Sequence, residues 1–314
     1  MNTSDLQALA ERTRFMRETG IALLACSFVL FLFLFVPLVP GAHTQAVSTA
    51  ASEEKPSFTA PPLTARAAVV YDLTTAETLY ALHADTQLPL ASLTKLLTVY
   101  AALQKLSPDT PITISKTEAR QESPHAFSAG DTLRLADLAR ITLTASLNDG
   151  AAAIANATAA REQHSTDEML AGAAAGLGLS QTYAINGSGL DENAAISGGY
   201  GSAHDVALLA GALVRIAPDI ALATTASTAS ATSATGKNFM VKNTNPTVVY
   251  APRLLLSKTG FTDLAGGNIA LVFDAGIGHP IAVVVLGSTQ KDRFTDAEAL
   301  VAATLAYFGG VSNL

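Results

Sequence analysis

The sequence predicts an α+β domain carried behind a single membrane-crossing helix. Three observations predict it: strand-like runs at both ends of residues 63–314, alanine-rich helical periodicity between them, and an uncharged apolar run of 19 residues from Ile21 to Val39. Strands at both termini of a domain with helices between imply one antiparallel sheet built from both ends and flanked by helices, with an all-helical lobe inserted.

Composition narrows the function classes. The 314 residues are 49% hydrophobic and 14% charged, against about 25% charged in an average soluble domain. That excludes a disordered chain and leaves ample apolar material for a core. Nineteen Lys and Arg against 26 Asp and Glu give a net charge of −7, without the basic stripes that phosphate backbones attract, so no nucleic-acid partner is expected. Cys26 is the only cysteine, and the six histidines lack metal-ligand spacing. An intrachain disulfide and a cysteine-based zinc site are thereby excluded, and no metal is expected.

The elements follow in chain order. Arg12, Arg14 and Arg17 precede the apolar run, whereas residues 40–62 carry only Lys55. The positive-inside rule therefore places residues 1–20 in the cytoplasm and the domain outside, a single-pass arrangement. At about 1.5 Å per residue, residues 21–39 nearly cross a hydrocarbon core of about 30 Å. The other reading of that run is a signal segment, but it exceeds the usual apolar length and no clean A-x-A site follows closely. Residues 40–62, small, polar and punctuated by proline, read as a flexible linker. In residues 63–314, Ala67–Leu73 and Glu77–Leu82 form a hairpin pattern around Thr74-Thr75. Ser92–Leu103, Leu133–Leu143, Gly150–Ala160, Glu168–Ala175 and His204–Ile216 have helical spacing. Asp205 reads as a cap of the last of these. Residues 222–236 read as a loop or weak edge strand. Arg253–Lys258, Asn268–Phe273 and Pro280–Gly287 are strand-like, and Thr295–Tyr307 closes the chain as a helix.

The chemistry lies in three short motifs. Ser92 and Lys95, in ASLTK, stand i,i+3 on one helix face, where a neutral amine can take the hydroxyl proton. Two other S-x-x-K matches, Ser52 with Lys55 and Ser288 with Lys291, do not lead into an apolar helix. At Ser92 a helix N-terminus favours developing negative charge. Ser146-Leu147-Asn148 is the only S-x-N, between two predicted helices, and Lys258-Thr259-Gly260 is the only K-T-G, at a strand end. P-loop, G-x-G-x-x-G, G-x-S-x-G and H-E-x-x-H patterns are absent.

In this order the motifs match the set shared by class A β-lactamases and penicillin-binding proteins. The chain resembles the low-molecular-mass penicillin-binding proteins, serine-type D-alanyl-D-alanine carboxypeptidases. LPLASLTKLLTVYAAL looks like their nucleophile helix and LTASLNDGAAAIA like their S-x-N loop. NGSGLDENAAISGGYGSAHDVALLAGALV, LSKTGFTDLAGGNIALV and VVVLGSTQKDRF are similar to their later segments. The resemblance implies a β-lactamase/D,D-peptidase-like fold and a bacterial membrane protein that trims peptidoglycan stem peptides ending in D-Ala-D-Ala, is acylated by β-lactams and needs no cofactor. It makes Ser92 the nucleophile, Lys95 the base and Ser146 the proton relay. Asn148 would bind the substrate amide and brace Lys95, and Lys258 would hold Ser146. The strand Thr259, Gly260, Phe261 and Thr262 would bind substrate, with Thr259, Thr262 and Arg293 at the terminal carboxylate and the backbone N–H groups of Ser92 and Phe261 as oxyanion hole. Phe261 stands where some relatives have histidine. A β-lactamase is disfavoured because SQTYAINGSG lacks the E-x-x-[LN]-N of class A enzymes. A D,D-endopeptidase uses the same residues and is the nearest alternative. A silent peptidoglycan-binding module is disfavoured by the intact catalytic residue types.

Overall fold

The computed structural model describes residues 58–246 and 253–311, together with helical backbone at positions between 13 and 27. The chain divides into two units, Met1–Lys55 and Pro56–Leu314. In the first, Arg14 donates to Glu18 one helical turn on (3.2 Å). Among the described residues no helix is long and apolar enough to cross a membrane. Most of the expected 21–39 span, and residues 40–57 of the expected linker, lie outside the described residues.

The second unit begins with β1 (Ala67–Asp72) and β2 (Glu77–Leu82), the expected hairpin, followed by the short β3 (Leu88–Pro89). Asp72 Oδ1 accepts from the N–H groups of Thr74 and Thr75, which folds the turn. The helical lobe follows: α1 (Thr94–Lys105), β4 (Pro111–Thr113), β5 (Thr132–Arg134), α2 (Leu135–Ala145), α3 (Asn148–Glu162) and α4 (Thr166–Gly176). A capping box between Ser165 and Glu168 starts α4. After β6 (Tyr183–Ala184) and β7 (Gly199–Gly201) come α5 (Ala203–Ile216) and α6 (Pro218–Ala223). Then β8 (Thr228–Thr232) and β9 (Asn238–Lys242) precede β10 (Leu254–Thr262), β11 (Gly266–Asp274), β12 (Pro280–Ser288) and α7 (Asp292–Val311).

One five-stranded antiparallel sheet, in the order β10-β11-β12-β1-β2, joins the two ends of the domain. Its central strands are apolar on both faces and alternate with period two. On β12, Ile281, Val283 and Val285 face Leu300 and Val301 of α7, whereas Ala282, Val284 and Leu286 join the core under the helical lobe. Helices thus cover both faces of an antiparallel sheet, which explains strands that read as continuous apolar runs. At the centre of the lobe α1 buries Leu96, Leu97, Val99, Ala101 and Ala102.

Within residues 222–236, expected as a loop or weak edge strand, residues 228–232 are a strand, paired with β9 in a hairpin whose larger buried side chains are Phe239 and Val241. Three other expectations differ from the structure. Ser92 does not open the α-helix; it sits in a 3-10 turn, Ala91–Leu93, before α1. Asp205 does not cap α5. Ser202 Oγ does so, accepting from Asp205 N, while the Asp205 carboxylate accepts from Gln181 N and Thr182 Oγ1 and ties β6 to the helix. Finally, the packed chain starts before residue 63: Phe58 stacks on Tyr80 with ring centroids 5.6 Å apart.

Candidate active site

The residues of all three motifs converge where α1, the α2–α3 junction and β10 meet. Ala91 takes a left-handed conformation (φ +48°), uncommon for a residue with a side chain, and turns the chain so that half-buried Ser92 precedes the N-terminus of α1. One turn on, Lys95 is fully buried. Its Nζ lies 2.7 Å from each of Ser92 Oγ, Asn148 Oδ1 and the Ser188 carbonyl oxygen. Burial without a carboxylate partner disfavours the charged amine, and the Lys95 pKa falls to about 7, the charge of Asp149 partly offsetting that effect.

The second motif is placed by a break of two residues between helices. Ser146 ends α2 in the left-handed region (φ +60°), Leu147 is extended, and Asn148 begins α3. Asn148 Nδ2 donates to the carbonyls of Glu122 (2.9 Å) and Ser123 (3.1 Å), while its backbone N–H donates to the Pro124 carbonyl (2.7 Å). The amide is therefore oriented with Oδ1 toward Lys95. This geometry fits a brace for Lys95.

The third motif runs along the edge strand β10. Lys258, 1% exposed, donates to Ser146 Oγ (2.9 Å) and to the Thr259 carbonyl (2.7 Å). Burial, then the neighbouring Lys95 and Arg293 cations, drive its pKa well below that of an ordinary lysine. Gly260 lets the strand approach the nucleophile: a Cβ there would stand 2.9 Å from the Leu90 carbonyl oxygen and 3.2 Å from Ser92 N. This close approach brings the backbone of β10 next to that of Ser92, as an oxyanion hole made by Ser92 and Phe261 requires. The Phe261 side chain is 42% exposed. The Thr259 hydroxyl shares a hydrogen bond with Thr244 Oγ1 (2.6 Å). Thr262 Oγ1 donates to Asp191 Oδ1 (3.1 Å) and accepts from Ala265 N (3.2 Å). Arg293, at the start of α7, lies beneath the strand, 7% exposed, and donates from Nη1 to the Gly260 carbonyl (2.6 Å). Burial lowers its pKa to about 10, which leaves it cationic.

Several members of this constellation have no motif signature. The Ser188 carbonyl is a backbone group, so no residue type marks it. Asp149, fully buried, accepts from Ala126 N (2.8 Å), Phe127 N (2.7 Å) and Gly150 N (2.8 Å), and so fixes the segment whose carbonyls hold Asn148. An acid following S-x-N reads only as a helix-start charge in the sequence. Thr244 and Asp191 come from loops far away along the chain. Among the described residues no cluster of metal-ligating side chains is present.

Comparisons with known proteins place the chain in a family. The sequence profile described as D-alanyl-D-alanine carboxypeptidase matches residues 53–290. The chain is 29% identical over 298 residues to D-alanyl-D-alanine carboxypeptidase DacC of Escherichia coli, covering 90% of this chain and 69% of that protein. It is 28% identical to an Escherichia coli D-alanyl-D-alanine endopeptidase, covering 87% of this chain and 86% of that one. The fold is similar to that of penicillin-binding protein D2 from Listeria monocytogenes in its ampicillin-bound form, with a TM-score of 0.66, 26% identity and coverage of 78% of this chain and 99% of that one.

Proposed function

The chain belongs to the D-alanyl-D-alanine carboxypeptidase family of serine peptidases, and from that premise we propose how its residues divide the reaction. The observation that carries the assignment is the buried Lys95 amine, with its pKa near 7, 2.7 Å from Ser92 Oγ. Ser92 Oγ attacks the carbonyl carbon between the two D-alanines and passes its proton to Lys95 Nζ, while the carbonyl π pair moves onto oxygen. The backbone N–H groups of Ser92 and Phe261 meet that charge. As the tetrahedral species collapses, the proton taken by Lys95 passes through the Ser146 hydroxyl, which Lys258 holds, to the leaving D-alanine nitrogen. Water then attacks the Ser92 ester, giving a proton to Lys95 that returns to Ser92 Oγ as the shortened peptide leaves. Arg293, which stays cationic and holds the Gly260 carbonyl, makes the carboxylate end of the cleft electropositive. Thr259 and Thr262 line that end.

The proposal extends to location. Residues 21–39 anchor the chain in the bacterial membrane, residues 1–20 face the cytoplasm, and the domain beyond the 40–62 linker reaches peptidoglycan outside, where stem peptides ending in D-Ala-D-Ala are substrate and β-lactams are inhibitors. The endopeptidase reading rests on the similarity to the Escherichia coli endopeptidase alone; no observation in the cleft favours it. The purified chain, given a stem pentapeptide ending in D-Ala-D-Ala and, separately, cross-linked stem dimers, is expected to release free D-alanine from the first and leave the second largely uncut. Faster cutting of the dimers would reverse the assignment.

A further inference from the structure

A neutral amine has two hydrogens and one lone pair, and Lys95 Nζ has three neighbours at 2.7 Å. Two of them, Asn148 Oδ1 and the Ser188 carbonyl oxygen, can only accept; the Ser92 hydroxyl can donate. The two acceptors take both amine hydrogens, so the lone pair is left facing Ser92. With only one fixed acceptor the amine rotates freely about its Cε–Nζ bond and points a hydrogen at Ser92 as readily as the lone pair.

The Ser188 carbonyl is held by a neighbour outside the three motifs. Asn186 Oδ1 accepts three donors from the following turn, Ser188 N (3.2 Å), Ser188 Oγ (3.0 Å) and Gly189 N (2.8 Å). Its Nδ2 donates to the Leu190 carbonyl (3.0 Å) and Glu192 Oε1 (2.6 Å). The turn is closed against α1 as well. Thr98 Oγ1, one turn beyond Lys95, donates to the Gly187 carbonyl (2.7 Å), and Gly189 (φ +74°) sits where any Cβ would collide with the Ala91 carbonyl. A Cβ on Gly198 would strike the Asn186 amide itself.

Resting on the serine-peptidase reading above, we propose that Asn186 is a positioning residue for acylation: it fixes the Ser188 carbonyl as the second acceptor of Lys95 and so aims the amine's lone pair at the Ser92 hydroxyl. Its effect falls on the chemical step, not on binding. Acylation of the purified full chain by a fluorescent penicillin, followed across penicillin concentrations, separates the non-covalent constant from the acylation rate and gives the reactive fraction as the final amplitude. Asn186→Ala is expected to slow acylation on the order of 10²-fold, with binding constant and amplitude as in the wild type. Asn186→Asp alone sets a second carboxylate against Glu192 and stays slow. Joined to Glu192→Gln, it reverses donor and acceptor across that bond and keeps the acceptor for the turn, but it still faces the Leu190 carbonyl that Asn186 Nδ2 held, and so it recovers only part of the rate. An Asn186→Ala rate within about twofold of wild type overturns the proposal. So does a reduced amplitude whose reactive molecules keep the wild-type rate, or a double variant no faster than Asn186→Ala. Failure of the underlying reading looks different: the wild-type chain takes no label, or Ser92→Ala still takes it.

Discussion

Replacing Lys95 by methionine (Lys95→Met) is expected to slow penicillin acylation by about 10²- to 10⁴-fold, the range that a positioned general base contributes. The substitution keeps an unbranched apolar stem in a fully buried position and removes the amine that stands within hydrogen-bond reach of Ser92 to accept its proton. The wild-type enzyme carries the matching signature in its pH dependence. With Lys95 proposed as the neutral base and burial lowering its pKa to about 7, the acylation rate is expected to fall about tenfold per pH unit below that value and to level off above it. The sign for stability is opposite to that of an ion-paired lysine. Between about 7 and the ordinary 10.5, the unfolded chain holds a proton that the native chain has released, so the contribution of Lys95 to stability rises with pH across that window. Acylation rates measured from mild acid to mild base on both proteins check the point. A rate independent of pH around neutrality, or a Lys95→Met variant that still acylates quickly, would show that another group deprotonates Ser92.

Asp149→Ala is expected to cost about 2–4 kcal/mol, because it strands the buried N–H groups of Ala126, Phe127 and Gly150 together. In a domain of this size that is a fall in Tm of about 5–10 °C. Activity falls with it, since the segment that Asp149 anchors supplies the Glu122, Ser123 and Pro124 carbonyls that orient Asn148. Asp149→Asn keeps the shape and one acceptor but turns an NH2 toward backbone donors, and is expected to fall between wild type and Ala. Thermal unfolding with penicillin labelling on the same samples separates the two effects. A Tm within about 1 °C of wild type for the Ala variant would mean that the 122–127 segment is held by other contacts.

The sequence was most legible where chemistry or burial restricts residue type. β1, β11 and β12 stood out because both of their faces are buried, which leaves nothing but Val, Ile, Leu, Ala and Phe over most of their length. Ser92, Lys95, Ser146, Asn148 and Lys258 stood out because each role admits few side chains and the three motifs occur in one order. What was not legible has a physical reason in each case. The β8 strand, Thr-Ala-Ser-Ala-Thr, does alternate, but its inward residues are only Ala229 and Ala231, and the larger buried side chains of the hairpin, Phe239 and Val241, come from β9. The 3-10 turn at Ser92 depends on the left-handed Ala91, a conformation that alanine does not advertise. The Ser188 acceptor is a peptide carbonyl, present at every residue. Arg293, read in the sequence as a cation for the substrate carboxylate, spends one N–H on the Gly260 carbonyl, a partner visible only once β10 and α7 are packed.

Mass analysis of the penicillin-treated chain decides whether Ser92 is the acylated nucleophile of a working site. One stable penicilloyl adduct per chain is expected, on the peptide that contains Ser92, and none in Ser92→Ala of unchanged fold. An adduct on another residue, or a folded wild-type chain that takes no label at all, would contradict that role.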